Sequence, residues 1–302
     1  MLLRRLCYPA RLSDVEMQFG WEKTRFSRVT RTTATLIYNR WKHLLRFDPV
    51  RLTPQKLSDY AHAIHEKGCP LNVVVAFIDG TLRRISRPIH NQRLVYNGWK
   101  RVHCIKFHSL VAPDGLHIHV FGPVEGRRHD ETLYKMSGLE ALLEQYFFDP
   151  NGRPLYIYGD PAYGLGPHLL SPYKGPSVTE DQRYWNARMS HVREVVEWSF
   201  KEVSQQFAFL DFKANQKILL QPCAMYYLVA ILLCNAHTIL HIPQIPQFFD
   251  CKPPTLAEYF HGGPIEDAEL DAWATMSAAG EMEVESDDDD EIIDNVEEDN
   301  RS

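Results

Sequence analysis

Three acids in this chain stand where metal-dependent chemistry could use them. Asp79 follows an almost unbroken apolar run, residues 71–78, and precedes Gly80; Asp160 follows the short apolar run 155–158 and precedes Pro161. Both read as aspartates at the ends of buried strands, where side chains meet a crevice beyond the sheet. Either one alone is more simply a turn or a helix cap. Together they need a third acid, because hard divalent cations such as Mg²⁺ require several oxygen ligands converging from separate elements. The amphipathic segment 188–207 supplies the candidates. At about 100° per residue, Val192, Val195, Val196, Phe200, Val203 and Phe207 form one apolar arc. Glu194 falls opposite that arc, in solvent. Glu197 falls on its flank, where a carboxylate can lean over a sheet edge. The bland alternative for Glu197 is a surface ion pair at i,i+4 with Arg193 or Lys201.

Other constellations carry less. Cys234, His237 and His241 share one helical face, but no fourth ligand completes a zinc site, and an apolar helix of this kind is usually core. His117 and His119 alternate along a strand and read as its surface. The three glycines of residues 159–166 lack the Lys-Ser/Thr of a phosphate-binding loop. No GxSxG pattern or Cys/His nucleophile arrangement is present.

The elements that would position the acids follow from periodicity. Ser13 and Glu16 fit a capping box that opens a short helix, and Gly20 turns the chain into a longer helix bearing Lys23, Arg25, Arg28 and Arg31. That outline is helix-turn-helix-like, with a basic second helix. A further helix is expected over 53–67. Strands follow at 71–78, 102–112 and 116–124, the last two joined by Pro113-Asp114-Gly115. A helix is expected over 129–146, a strand over 155–158, and helices over 188–207 and 219–241. The expected architecture is α/β: a mixed sheet flanked by helices, with an N-terminal helical region. Four regions result: 1–68 helical, 70–245 catalytic, 246–275 a Pro-rich extension, and 276–302 an acidic tail too poor in core residues to fold.

Charge separates the tail from the rest. Of 302 residues, 33 are Lys or Arg and 39 Asp or Glu, giving −6 overall, but residues 281–302 alone hold 12 acids against one Arg. Residues 1–280 are left with 32 basic and 27 acidic residues, a net +5. The basic excess clusters: residues 82–113 contain Arg83, Arg84, Arg87, Arg93, Lys100, Arg101 and Lys106 and no acid. A basic body with an acidic tail points toward a nucleic-acid partner, a partnerless solvated basic face being the alternative. Arg83, Arg84, Arg87, Lys100 and Arg101, with Arg25 and Arg28 upstream, are the expected phosphate contacts. Tyr96 and Trp99 would stack on exposed bases or else belong to the core. Six dispersed cysteines without a CxxC pair suggest a reduced compartment. No signal peptide is expected from the first residues, and the most apolar stretch, 223–234, is short of the roughly 20 residues of a membrane span, so no membrane partner is expected.

Several blocks together resemble a known family. Phe77-Ile78-Asp79-Gly80-Thr81, Asn97-Gly98-Trp99-Lys100-Arg101, Gly126-Arg127-Arg128-His129-Asp130, Tyr158-Gly159-Asp160-Pro161-Ala162-Tyr163 and Arg193-Glu194-Val195-Val196-Glu197-Trp198-Ser199-Phe200 look like the ordered motifs of Harbinger-type DDE transposases. The likeness extends over roughly residues 1–260. It implies an RNase H-like fold with Asp79, Asp160 and Glu197 as the catalytic, metal-holding triad. Asp130 matches an accessory acid of the family's His-Asp motif, a further metal ligand. One departure is Lys201, at a place the family usually fills with glycine.

The implied chemistry is cleavage or transfer of DNA phosphodiester bonds at a site with divalent metal, Mg²⁺ or Mn²⁺, and the implied location is the nucleus. Two ions about 3.5–4 Å apart would neutralise the attacking and leaving oxygens. DNA is the expected partner, with a separate DNA-binding subunit and self-association as further possibilities. A catalytically inactive descendant that binds DNA or a protein partner is the alternative reading. The three intact acids favour the enzyme.

Overall fold

The computed structural model describes residues 1–218 and 220–261, and the expected acidic tail at 276–302 lies outside the described residues. Met1–Phe260 form one compact unit. Four helices come first: α1 (Leu2–Cys7), α2 (Leu12–Phe19), α3 (Lys23–Trp41) and α4 (Pro54–Glu66). The sheet region follows as β1 (Val74–Arg84), α5 (Gln92–Val95), β2 (Tyr96–Asn97), β3 (Val102–Val111) and β4 (His117–Glu125). Next come α6 (Asp130–Met136), α7 (Leu139–Tyr146), β5 (Tyr156–Gly159) and β6 (Leu169–Leu170). The long α8 (Glu180–Gln206), the apolar α9 (Cys223–His241), α10 (Gln244–Phe249) and α11 (Leu256–Tyr259) complete it.

The sheet has β1 at its centre. β3 pairs antiparallel with one edge of β1, and β4 and the short β2 extend that side; β5 and then β6 pair parallel on the other. This mixed order, an antiparallel three-stranded meander continued by parallel strands, is the RNase H-like arrangement expected from the sequence. Buried on both faces, β1 opens as the continuous apolar run that such a strand needs, Val74 to Ile78. The meander is fixed at its turn by Asp114. That buried carboxylate accepts from the Leu116 amide at 3.1 Å and from the Tyr60 hydroxyl, and pairs with Arg51 at 3.4 Å.

Several elements differ from their sequence-based outlines, each for a local reason. β1 does not stop at Asp79; it continues to Arg84 because β3 pairs with it through Arg84↔Cys104. Asp79 is therefore mid-strand, and it is β5 that ends beside it. The cap of α2 is Arg11 with Asp14, whose Oδ2 accepts the Arg11 amide at 3.3 Å, and not Ser13 with Glu16. The helix expected over 129–146 is two helices, broken where Gly138 takes a left-handed φ of +67°. α8 begins well before residue 188, at a capping box of Thr179 with Gln182. His117 and His119 are buried, not on a strand surface: Asn235 of α9 both donates to and accepts from the His117 backbone, while the His119 ring lies 5.7 Å from that of His108.

The helix expected over 219–241 begins later, as α9 at Cys223. At 19 residues with mean hydropathy 1.7 it meets the length and composition of a membrane span, yet most of it is buried against α3, α8 and β4 as the molecule's central helix. The segment from 246 onward adds Phe249, Cys251 and Tyr259 to that core.

Candidate active site

The strand register brings two of the three acids side by side. Ile78 pairs with Gly159 across the parallel β1–β5 ladder, so Asp79 and Asp160 are each one residue further on, on strands about 4.8 Å apart. Each is steadied by local backbone: the Gly80 amide donates to Asp79 Oδ1 at 2.8 Å, and the Ala162 amide to Asp160 Oδ1 at 2.8 Å. The second of these closes the turn that Pro161 begins. Both acids line a polar cleft of about 1020 Å³, together with Lys100, Arg127, Arg128, Asp130, Tyr163 and Lys174 among others.

Glu197 approaches from α8. Alternation along β1 aims Asp79, Thr81 and Arg83 at one face, the face covered by α8. There the Arg193 guanidinium lies between two carboxylates, 3.7 Å from Asp79 Oδ2 and 3.6 Å from Glu197 Oε1. Asp79 is largely buried, whereas the Glu197 side chain is 62% exposed. Burial drives the Asp79 carboxyl up to about 6 against the pull of Arg193 and the Gly80 amide, and the charges of Asp160 and Glu197 raise it further. The three acids therefore act electrostatically on one another. Glu194 is exposed, as its position on the helix demands. Among the described residues, no three His, Cys, Asp or Glu side chains are grouped tightly enough to hold a metal ion as they stand. The arrangement is two adjacent aspartates with the glutamate held off by an arginine.

Asp130 lies across the strand from that face. It pairs with the buried Lys106 at 2.5 Å, and Lys106 also donates to the Arg128 carbonyl at 2.8 Å. Its carboxylate sits over Gly80, where an added Cβ would be 2.8 Å from Asp130 Oδ1. A side chain at position 80 would therefore have to displace that carboxylate.

The basic stretch divides into structural and exposed members. Arg83, expected as a phosphate contact, is instead a core residue, its side chain only 8% exposed. Its guanidinium donates to Ser204 Oγ at 2.7 Å and Thr81 Oγ1 at 3.0 Å, pairs with Asp211 at 3.1 Å, and lies 4.6 Å from the centre of the Tyr227 ring. Strand alternation decides this, since position 83 must face α8 and α9. Arg84, Arg87, Lys100 and Arg101 are exposed, as are Arg25 and Arg28 on α3. Arg25 stacks on Trp21 at 4.5 Å. Lys100 belongs to the β2–β3 hairpin tip, which Asn97 braces by donating to the Gly126 carbonyl at 2.8 Å and accepting from the Lys100 amide at 2.8 Å. That tip presents Trp99, 88% exposed, on the cleft rim; neither it nor the half-covered Tyr96, whose ring meets His103, is a core residue.

Sequence reasoning missed Arg193 as a link between acids, although its i,i+4 spacing to Glu197 was visible. It also missed Tyr163 and Lys106, which only tertiary packing brings to the cleft.

The fold and cleft define an RNase H-like protein with clustered carboxylates at the end of the central parallel strand pair. The family comparison agrees: residues 78–235 match the profile of the DDE superfamily endonucleases, and the chain belongs to that family. A curated relative, Protein ALP1-like of Arabidopsis thaliana, is 24% identical over 220 residues, which are 69% of this chain and 52% of the relative. The chain thus spans about half the length of the curated relative it matches. No solved structure matches. Membership supports a general nuclease- or transposase-like function.

Proposed function

We propose that this protein cleaves or transfers DNA phosphodiester bonds at the Asp79–Asp160–Glu197 site with divalent metal, Mg²⁺ or Mn²⁺. The observation that carries this reading is the position of Asp79 and Asp160, each one residue beyond the Ile78–Gly159 pair of the β1–β5 ladder, with Arg193 joining Asp79 to Glu197. The donors are hard carboxylate oxygens, without the Cys or His ligands that would favour zinc. An Asp79 carboxyl raised to about 6 by burial and by two neighbouring carboxylates is the electrostatic condition that a divalent cation relieves. The donor chemistry suits the ion, which would draw the carboxylates closer together than they stand.

When bound, the metal would activate the attacking hydroxyl or water and offset charge on the leaving oxygen. The chain's own groups divide the remaining tasks. Asp79 and Asp160, fixed by the Gly80 and Ala162 amides, offer oxygens from adjacent strands. Glu197 offers a third once released from Arg193. Lys100, Arg127, Arg128 and Lys174 line the cleft as cations for the DNA backbone. Lys106 holds Asp130, which supports the wall of the cleft and does not act as a free ligand. Nuclear action follows from the DNA substrate.

The test is cleavage of supercoiled plasmid by the purified full chain with Mg²⁺ or Mn²⁺, against EDTA. Metal-dependent nicking that Asp160→Asn abolishes supports the reading. Absence of nicking, with DNA binding retained, favours the inactive DNA-binding descendant instead.

A further inference from the structure

A buried hydroxyl faces the cleft without a partner. Tyr163 is 3% exposed, yet its Oη has no hydrogen-bond partner among the described residues. Burying a hydroxyl unpaired is costly, so such an atom in a native fold calls for an explanation. Its placement is enforced from all sides. The Tyr163 amide donates to the Asp160 carbonyl at 3.2 Å, which ties the ring to the turn that carries Asp160. The ring lies edge-on to Tyr134 at 6.5 Å and against His108 at 6.3 Å. Gly159 leaves room for it, since a Cβ there would come within 3.1 Å of Tyr163 Cδ2. The hydroxyl itself ends 3.5 Å from the point where a side chain on Gly80 would begin. It therefore sits beside β1, in the wall of the cleft that Asp79, Asp130 and Asp160 also line.

The chemistry of that position selects its ligand. A phenol hydroxyl is neutral at physiological pH, so Tyr163 carries an uncharged O–H donor. A neutral donor among carboxylates can approach an anionic oxygen without presenting a lone charge to them, and hydrogen bonds to charged acceptors are the stronger kind. We propose that Tyr163 donates a hydrogen bond to a non-bridging phosphate oxygen of DNA seated in the cleft, and so positions the strand beside Asp79 and Asp160. This rests on the proposed reading for its substrate class and adds a substrate-contacting residue to the acids.

A structural tyrosine and a substrate-facing one predict opposite effects for Tyr163→Phe. The substitution keeps the ring and its packing and removes only the hydroxyl. The full-length variant would be compared with wild type by thermal unfolding without metal, and by fluorescence anisotropy with a labelled 30-base-pair duplex in EDTA. The expected result is an unchanged or higher Tm with affinity about tenfold weaker, because a charge-assisted hydrogen bond is lost. A lower Tm with unchanged affinity would mean that the hydroxyl serves the fold, and no change in either would leave it without a role; both overturn the proposal. Binding in EDTA does not depend on cleavage. Absence of nicking by wild type therefore removes the catalytic reading alone, while an unaltered affinity in Tyr163→Phe removes this one.

Discussion

Arg193 Nη1 stands 3.7 Å from Asp79 Oδ2, on the edge of the carboxylate cluster that a metal ion would occupy. Its other nitrogen reaches Glu197 at 3.6 Å, so one guanidinium balances two of the three acids in the metal-free protein. A resident cation this close must oppose the entry of another. At an effective dielectric near 20 to 80, a unit charge about 5 Å away contributes roughly 1–3 kcal/mol. Arg193→Gln should therefore bind Mn²⁺ about five- to 150-fold more tightly, read by titration in an electron paramagnetic resonance or calorimetric experiment. Unchanged or weaker binding would show that Arg193 chiefly orders the carboxylates.

Asp79 is held in the fold against the preference of its charged form. Its carboxyl is raised to about 6, mainly by burial. Between its unfolded value near 3.9 and 6 the folded state binds more protons, so this group lowers stability as pH rises, and the full cost is present above pH 6. Asp79→Asn removes the charge and can keep the Gly80 hydrogen bond. It should abolish nicking while raising metal-free stability at pH 7.5 by about 1–3 kcal/mol. Denaturant unfolding measures the second effect. Glu194→Gln, on the solvent side of α8, should leave both quantities near wild type.

Three of the buried histidines act in the opposite sense. Burial depresses His108 and His117 to about 3 and His119 to about 4. In the unfolded chain each takes a proton near pH 6.5, so their contribution to stability is fully present above 6.5 and is lost as pH falls toward 4. Each contributes a slope of up to about 1.4 kcal/mol per pH unit, which Asp79 offsets in part below pH 6. Urea unfolding at pH 5.5 should show stability roughly 3 kcal/mol below that at pH 7.5. A flat profile across that interval would contradict their burial as neutral groups.

Arg83 and the hairpin-tip cations should separate cleanly in experiment. Arg83→Ala leaves Asp211 unpaired and opens the contact with Tyr227, which should cost about 2–4 kcal/mol of stability. The double substitution Lys100→Ala with Arg101→Ala removes two exposed charges and should leave Tm unchanged. Its DNA affinity should fall at low salt, with the slope of log affinity against log salt shallower by about 1.8. Equal salt slopes for the variant and wild type would remove the hairpin tip from the DNA interface.

Much of the architecture was legible in the sequence because burial leaves a periodic trace. The apolar run before Asp79 fixed the central strand, and the arc of Val192, Val195, Val196, Phe200 and Val203 placed α8 on the sheet with Glu197 on its flank. Pro113-Asp114-Gly115 marked the β3–β4 turn through local backbone preference. What the sequence could not decide was where pairing between distant segments puts a given side chain. β1 runs past Asp79 because β3 is there to pair with it, and that continuation turns Arg83 into the core. His117 and His119 look like alternating surface residues until tertiary packing buries them. Arg193 reaches Asp79 and Lys106 reaches Asp130 through contacts between segments tens of residues apart, and Asp130 lies against Gly80 from another element. Local sequence determines periodicity, turns and caps, whereas register and layer stacking depend on which surfaces meet. The candidate acids belonged to the first kind of information; their charge balance and their neighbours belonged to the second.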